Sequence, residues 1–517
     1  MKILFFGLSS KFIHTLPAGW FLAEYLKERK IDVIEKYHSV NENYSELIEA
    51  IFSQEFDTIL FSVYIFNVKL VKQLIQDIRK VKKCTIIVGG PEVDENFDAD
   101  HIVIGEGEQA LYKLLAFGQD KVIYGENIQN LDDIPSPYTS ERLKESKNKL
   151  IYYESSRGCP FSCSYCMAGI SKGVRYFSLE RVKEDLHRIV DSGAKIVKFT
   201  DRTFNANTIR TNAILKMISK DFSHTCTCFH FEVGGDLFKE STLNILKDLP
   251  VGLVQMEAGV QTLTEESLKA VNRYFDKEKF LSNITKILSY NNIHLHLDLI
   301  AGLPEETFES FIFSYNTVMK IRPHKLQLGF LKMLINTPIR ETYKAEFDEN
   351  APYEIIKTPL MSEEELAILK EIDWINERLY NTGKFSFTLE LLLKDTTPYD
   401  LFYKMSKHFE KMGIKKDAYE YKLYEGILSF CSDDAKILDA LRFDYLLTNN
   451  SRKIPKALQK THSSEFKKFL SAHKTDRFIL YESFSYLPFS NSEGDFIIKF
   501  DYNQKNPITS RYSYEII

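Results

Sequence analysis

Long apolar runs are missing from this chain. No stretch of 18 consecutive apolar residues occurs in its 517 residues, so no membrane-spanning helix is expected. Repeats of 20–50 residues and low-complexity tracts are absent as well, which excludes solenoids, propellers and disordered arrays. Charge of one sign is not in excess. A formal net charge of −5 argues against global binding to nucleic acid, although a local basic patch stays open. Cysteine is scarce, with seven in all, and an odd number does not make a disulfide framework. Three of the seven are clustered, which is metal-site usage and points to a reducing, cytoplasmic compartment. The opening run Met1–Leu8 is too short for a signal peptide and reads as a buried first strand.

What is present is the composition of a soluble globular protein of two to four domains, 44% hydrophobic and 27% charged. From 1 to about 135, apolar runs alternate with amphipathic patterns. Strands are predicted at Ile3–Gly7, Val33–Tyr37, Thr58–Val63, Thr85–Val88 and His101–Ile104. Helices are predicted at Pro17–Arg29, Ser45–Phe52, Val68–Val81 and Glu108–Phe117. This alternation predicts an α/β fold with a doubly wound, Rossmann-like parallel sheet. Ligands of such sheets bind beyond the carboxyl ends of the strands. The turns found there are Ser9–Gly19, Ser62–Asn67, Gly89-Gly90-Pro91-Glu92 and Gly105-Glu106-Gly107-Glu108. Residues 118–150 read as a connector broken by Ile134-Pro135-Ser136-Pro137, with the linker proper at 136–149.

Strand–helix alternation resumes at 150–340, with six strands at Leu150–Ser155, Ile196–Asp201, Cys228–Val233, Leu253–Val260, His294–Ile300 and Lys325–Leu331. Six such units suit a partial (β/α)6 barrel, whose active-site residues come from the carboxyl ends of its strands. The segment 341–517 reads as mainly helical: Ser362–Leu379 opened by a capping box, then Tyr399–Met412, Lys415–Phe430 and Asp433–Thr448. A terminal β element follows at Phe478–Pro488 and Asp495–Phe500.

The chemistry centres on Arg157-Gly158-Cys159-Pro160-Phe161-Ser162-Cys163-Ser164-Tyr165-Cys166. Its cysteines are spaced C-x3-C-x2-C, with no fourth ligand at short spacing. Three thiolates held this closely suit a 4Fe-4S cluster with one iron left open. A zinc site with a distant fourth ligand, or three packing cysteines in a turn, are the other readings. The alternating His224, Cys226, Cys228 and His230 diverge along a strand, so they read as core and pocket lining rather than a second metal site. Cys84 and Cys431 read as inert.

This spacing, with aromatic Tyr165 just before the third cysteine, resembles the radical S-adenosylmethionine (SAM) superfamily. The resemblance implies that Cys159, Cys163 and Cys166 hold the cluster. It further implies that SAM chelates the open iron and is cleaved to methionine and a 5′-deoxyadenosyl radical. Glu232, Gln261, Arg273 and Asp298 at the strand ends, with Gly302 after the fifth strand, resemble the SAM-binding motifs of that superfamily. Arg273 would then take the methionyl carboxylate bidentately. The usual glycine-rich turn after the second barrel strand is replaced by Phe199–Phe204, where Thr200 and Asp201 are the candidates left for the methionyl amine.

The first domain, through Ser62, Gly89, Gly90, Glu92, Gly105, Glu106 and Gly107, resembles the cobalamin-binding domain of cobalamin-dependent radical SAM enzymes. In the Asp-x-His-x-x-Gly motif that supplies a lower cobalt ligand, Phe12 and Pro17 stand in place of the Asp and Gly around His14. His14 therefore reads as a loop or pocket histidine. The order of domains also resembles an uncharacterised branch carrying an extra C-terminal domain. The resemblance implies methyl transfer to an unactivated carbon. Cobalamin-dependent rearrangement, cyclisation or redox chemistry is the alternative, and an Fe–S electron-transfer or RNA-binding protein stands as a reading of another class. A flavodoxin- or ferredoxin-type electron donor is implied, and the substrate (small molecule, peptide or RNA) stays open. The basic stretch 452–477, with Arg452, Lys453, Lys456, Lys460, Lys467, Lys468, Lys474 and Arg477, reads as a solvated face or a site for RNA or an acidic redox partner.

Overall fold

The computed structural model describes residues 1–169, 173–451, 453–473 and 477–517. It divides into two compact units. The first comprises Met1–Ala258, Glu266–Ile287 and Phe330–Pro359, and the second Gly259–Glu265, Leu288–Gly329 and Leu360–Ile517. Arg452 and Lys474 of the basic stretch lie outside the described residues.

The first unit begins β1 (Ile3–Ser9), α1 (Pro17–Glu28), β2 (Val33–Ser39), α2 (Tyr44–Phe52), β3 (Thr58–Ser62), α3 (Val68–Val81), β4 (Thr85–Gly89), β5 (His101–Gly105), α4 (Gly107–Phe117) and β6 (Val122–Gly125). The six strands form one parallel sheet in the order β2-β1-β3-β4-β5-β6. Reversal of direction across β1 and β3 is the switch point of a doubly wound sheet. All seven residues of β1 are buried, because helices cover both faces, and its one polar side chain, Ser9 at the carboxyl end, donates to backbone carbonyls.

The sheet takes one strand more than the sequence predicted. β6 falls in the expected connector, and its register Ile102↔Val122 to Gly105↔Gly125 extends the sheet past β5. Four residues with only partial burial carry too little periodicity to be seen as a strand. The charged stretch before the second sheet also forms a helix, α5 (Ser140–Glu145), capped by the Thr139 hydroxyl. Its Arg142 is held to the first sheet, with Nη1 on Glu24 of α1 at 2.9 Å and Nη2 on Glu35 of β2 at 2.6 Å.

The chain continues through β7 (Ile151–Tyr153), β8 (Ser156–Cys159), β9 (Gly173–Tyr176), α6 (Leu179–Asp191), β10 (Ile196–Phe199), α7 (Thr208–Phe222), β11 (Cys228–Val233), α8 (Glu240–Lys247) and β12 (Val254–Gln261). Next come α9 (Glu265–Ala270), α10 (Lys277–Ser289), β13 (His294–Ala301), α11 (Phe308–Lys320) and β14 (Lys325–Phe330). In the first unit β7, β10, β11 and β12 are parallel neighbours in that order, and in the second β13 neighbours β14. All six predicted barrel strands are present. Along β12 buried and half-buried residues alternate, so the apolar set packs under helices while Gln255, Glu257, Gly259 and Gln261 take the other face. The hairpin β8–β9 is an addition to that plan, antiparallel and carrying the first cysteine.

The first unit closes with α12 (Pro338–Thr342) and a small antiparallel pair, β15 (Glu346–Phe347) and β16 (Ile355–Lys357). The second unit then adds α13 (Glu363–Ile375), α14 (Ser386–Leu392), α15 (Pro398–Lys411), α16 (Glu420–Phe430), α17 (Ala435–Thr448) and α18 (Ser464–Ala472). The predicted capping box opens α13, with the Ser362 hydroxyl accepting from Glu365 N and the Glu365 carboxylate accepting from Ser362 N. The predicted helix at Lys415 starts only at Glu420, because Gly413 (φ 69°) ends α15 and the chain turns before resuming. A three-stranded antiparallel sheet ends the chain: β17 (Ile479–Leu487), β18 (Ser492–Lys505) and β19 (Tyr512–Ile516). The basic stretch is not all solvated. Lys460 reaches Asp439 of α17 at 3.0 Å, where buried Arg442 also pairs at 3.0 Å.

Two outcomes follow from these ion pairs and burials. Arg142→Met strands Glu24 and Glu35 in a largely buried place, so a loss of about 3 kcal/mol is expected, read as a lower urea midpoint in circular dichroism. In the second unit Glu306 is fully buried between Leu303 and α11, and burial pushes its carboxyl up to about 8. The folded state then binds a proton that the unfolded state has released, so stability falls as pH rises from about 4.5 to about 8. Glu306→Gln should flatten that slope and raise stability at pH 8 by a few kcal/mol, on the order of the linkage term. A variant no more stable than the native chain at pH 8 would show that the carboxylate is accommodated charged.

Candidate functional site

The three cysteines sit where β8 runs out into a tight loop. Cys159 is the last residue of β8. Cys166 N donates to Cys163 O at 3.1 Å, and Gly169 N donates to Cys166 O at 3.1 Å, which winds the loop back on itself. Cys159 and Cys163 are buried and Cys166 is half-buried. Gly158 has φ 96°, and a Cβ there would lie 2.1 Å from Gly173 O, so only glycine lets the hairpin close one residue before the first thiol. Ser164 N donates to Val271 O at 2.9 Å, and Ile339 N donates to Ser164 O at 3.1 Å, pinning the loop to two other segments of the first unit.

Arg273 reaches this loop, its Nη1 donating to Cys163 Sγ at 3.7 Å, and Thr203 Oγ1 lies 3.6 Å from Cys159 Sγ. Three sulfur donors on one short loop, with a guanidinium beside one of them, are a ligand set for an iron–sulfur cluster. The donor set therefore fits a three-thiolate cluster.

Ahead of the cysteines lies a buried ionic clamp that sequence reasoning missed. Arg157 of β8 pairs with Glu108 at 2.6 Å, Glu154 at 3.0 Å and Glu106 at 3.3 Å. Arg175, directly opposite on β9, also pairs with Glu106 and donates to Ile128 O. Glu106 and Glu108 flank Gly107 in the turn after β5. The two arginines hold the Glu106 carboxyl below its usual range, although burial opposes them. The signal available was an arginine immediately preceding the cysteine loop, but two of its partners, Glu106 and Glu108, are about fifty residues away and invisible to local pattern.

A cavity of about 580 Å³ opens at the carboxyl edge of the first sheet. Phe5, Leu60, Ile87 and Val103 give it an apolar floor. Ser62, Gly89, Gly90, Gly105, Glu106 and Gly107, all named from sequence, line it. Glu154, Arg157, Thr200 and Arg202 from the segments around the cysteine loop line it too. Gly90 requires its identity, with φ 112° and a Cβ that would fall 2.6 Å from Val63 O. An apolar floor rimmed by backbone and polar groups suits a broad, flat ligand with an apolar face and an amide periphery, as a corrin has.

Glu92 is placed elsewhere. It is 3% exposed, accepts from Tyr353 OH at 2.9 Å and does not line the cavity, so it shapes the turn from behind. His14 does not line the cavity either. Its Nδ1 meets Ser10 Oγ at 3.0 Å and its ring stands edge-on to Tyr152, in keeping with a loop histidine.

The SAM candidates fall in both units. Glu232 and Arg273 are in the first, and Gln261, Asp298 and Gly302 in the second. Glu232 on β11 lies 3.7 Å from Lys198 of β10, which pairs at 3.2 Å with Glu257 of β12. His230 Nε2 meets the same Glu257 at 3.2 Å, and Gln255 approaches His230 Nδ1 at 2.6 Å. Gln255 donates to Nδ1, which leaves the proton on Nε2 for Glu257. Burial lowers the His230 pKa and raises that of Glu232. Lys198 was not among the sequence candidates. A lysine between the buried Val197 and Phe199 was the clue, since a charge in a four-residue strand needs partners across it. Gln261 ends β12 at φ 68°, and Asp298 on β13 lies 3.4 Å from His296 Nε2. Asp201, a candidate for the methionyl amine, is 2% exposed and accepts from Ser155 N at 3.0 Å and from both Ser155 and Ser156 hydroxyls. It anchors the start of the hairpin instead. Cys226 is exposed and Cys228 opens β11 at its amino end.

Comparison with known proteins agrees with this geometry. Residues 5–115 match the B12 binding domain, residues 153–318 the radical SAM superfamily, and residues 341–505 a protein family of unknown function, DUF4080. An uncharacterized methyltransferase of Pyrococcus horikoshii is 25% identical over 51% of this chain and 62% of its own length. The cobalamin-dependent radical SAM methyltransferase TokK of Streptomyces tokunonensis is 24% identical over 56% of this chain and 49% of its own. The chain thus spans only about half to three-fifths of these relatives. Among solved structures, the cobalamin-dependent SAM radical enzyme OxsB with aqua-cobalamin bound aligns with a TM-score of 0.58 at 15% identity, over 86% of this chain and 80% of its own. The radical SAM methyltransferase TsrM of Kitasatospora setae, with cobalamin and a [4Fe-4S] cluster, aligns with a TM-score of 0.55 at 14% identity, over 66% of this chain and 74% of its own. The chain therefore carries a B12-binding domain at 5–115 followed by a radical SAM domain at 153–318.

Proposed function

We propose that this protein is a cobalamin-dependent radical SAM enzyme that transfers a methyl group to an unactivated carbon. One observation carries the reading: within a single compact unit, the cavity at the edge of the first sheet is lined on one side by glycine turns and on the other by residues flanking the cysteine loop. A corrin seated there would face the cluster. Named relatives described as methyltransferases support the same choice.

When bound, the cluster, SAM and cobalamin would together supply a hydrogen-abstracting radical and a methyl donor. The chain's own part is positioning and exclusion. Cys159, Cys163 and Cys166 would hold the cluster and leave one iron for SAM, and Arg273, beside Cys163, would receive an anionic group of the bound molecule. The apolar floor at Phe5, Leu60, Ile87 and Val103 keeps water from one face of the corrin. Lys198, Glu257 and His230 offer polar contacts on the half-buried face of β10 to β12. The electron is assigned to a flavodoxin- or ferredoxin-type donor.

Two measurements test this. In anaerobically reconstituted protein, Cys166→Ala should lose most iron and all formation of 5′-deoxyadenosine. A variant that still cleaves SAM would remove the cluster assignment. Gly90→Val should abolish the visible spectrum of retained cobalamin while leaving iron content unchanged, because it forces a side chain into Val63 and strains the turn. Retention of cobalamin in that variant would place the corrin elsewhere, and none in the native protein would overturn the cobalamin reading. Methyl label moving from SAM to product then decides for transfer over rearrangement.

A further inference from the structure

The second unit contains a separate cavity of about 540 Å³ at the amino-terminal ends of β13 and β14. His294 and Lys325, the first residues of those strands, both line it. Gly302, a SAM candidate, follows the other end of β13, roughly 25 Å away along an eight-residue strand. The remaining walls come from the turn between α13 and α14, from α14 itself and from the 508–511 segment before β19. No function considered so far uses this space.

Its charge is one-sided. Arg322, Lys325, Lys384 and Arg511 line it against a single carboxylate, Glu390. Glu390 is already engaged by Arg322 at 3.1 Å, and Lys384 is paired with Glu420. Among the described residues, Lys325 and Arg511 have no carboxylate within ion-pair distance, so both are left without a direct ion pair. Asp444 lies near Arg511 but spends its oxygens on Phe387 N at 3.2 Å, Thr388 N at 2.9 Å and the Thr388 hydroxyl at 2.8 Å. Arg511 places Nη2 on Gly383 O at a long 3.4 Å, and its Nε is buried without an acceptor. A buried N–H with no acceptor is costly unless something accepts from it.

The neutral groups point the same way. His324 Nδ1 accepts from Leu295 N at 3.1 Å, so the ring proton is on Nε2. Burial and the nearby Arg511 both lower the His324 pKa, which keeps it a neutral donor. The hydroxyls of Thr509 and Ser510 add further donors, while those of Thr382 and Ser386 already donate to Arg378 O and Gly383 O. Opposite these, Met319, Leu389, Leu393 and Ile508 form an apolar wall. A cavity of this size accommodates a metabolite-sized ligand.

We propose that this cavity is a binding site for an oxyanion, a phosphate or a carboxylate, carried on an apolar body. The anion sits against Lys325 and Arg511, and the body lies on the Met319–Leu393 wall. The site is distinct from the cofactor-bearing strand ends and does not depend on the methyl-transfer reading.

The test is isothermal titration calorimetry on the full-length, cofactor-loaded protein, with octyl phosphate and decanoate as probes and inorganic phosphate and octanol as half-ligands. Saturable binding of at least one probe is expected, at least tenfold tighter than either half-ligand. Lys325→Gln, an exposed rim position, should weaken it by about tenfold, the worth of one charge-assisted hydrogen bond. Thr509→Trp, which fills the space, should abolish it while the far-ultraviolet circular dichroism of both variants stays native. The stronger of the two probes identifies the head group. No saturable binding of either probe, binding no tighter than octanol, or binding unchanged in both variants would overturn the proposal and leave the cavity a solvent-filled void.

Discussion

The first unit depends on two arginines held against the carboxylates of a single turn. Arg157 and Arg175 face each other across β8 and β9, and both close on Glu106, with Glu108 and Glu154 completing the set. Removing one partner from such a group leaves a charge in a place with little water, so the arrangement is hard to loosen by degrees. Its geometric effect is direct. The turn that ends β5 is fixed to the strand that ends in Cys159, and the wall of the corrin-sized cavity is fixed to the cysteine loop. The separation of the two sites is set by side chains of ordinary length, with no long linker between them.

Most of the first sheet was legible because buried parallel strands are apolar throughout and the helices between them are strongly periodic. Ile3–Ser9, Thr58–Ser62 and Thr85–Gly89 show this well, with few positions left partly open. β6 and the hairpin β8–β9 were not legible. They are four residues each, only partly buried, and formed by pairing with distant segments. That the three cysteines share one loop could be read from spacing, since they lie close together in the chain. Lys198 with Glu257, and Asp201 with Ser155 and Ser156, could not, because their partners are brought together by strand order. Glu92 and Glu106 were read from the motif that contains them. The structure gives both a part in holding the turns, with Glu106 lining the cavity and Glu92 behind it.

The second unit repeats the lesson in charge. As a string, the basic stretch near its end looks like a solvated face. In the fold Lys460 turns inward to Asp439, next to an arginine with almost no exposed surface. The cations that line this unit's cavity come from scattered positions, Arg322, Lys325, Lys384 and Arg511, which no local charge count would join.

The sixth strand of the first sheet carries a practical consequence. The B12 binding domain match ends at residue 115, before β6. Gly125 lies so close to the turn at Glu106 that a Cβ there would be 1.9 Å from Glu106 O, and β6 covers the outer edge of β5 through four paired residues. A fragment cut at residue 115 would expose β5 as an unprotected edge, ready to pair with other copies of itself. It would also lose the support of the turn that receives both arginines. The cobalamin-binding portion is therefore severable only beyond Gly125, and the boundary drawn by family resemblance is not the boundary drawn by hydrogen bonds.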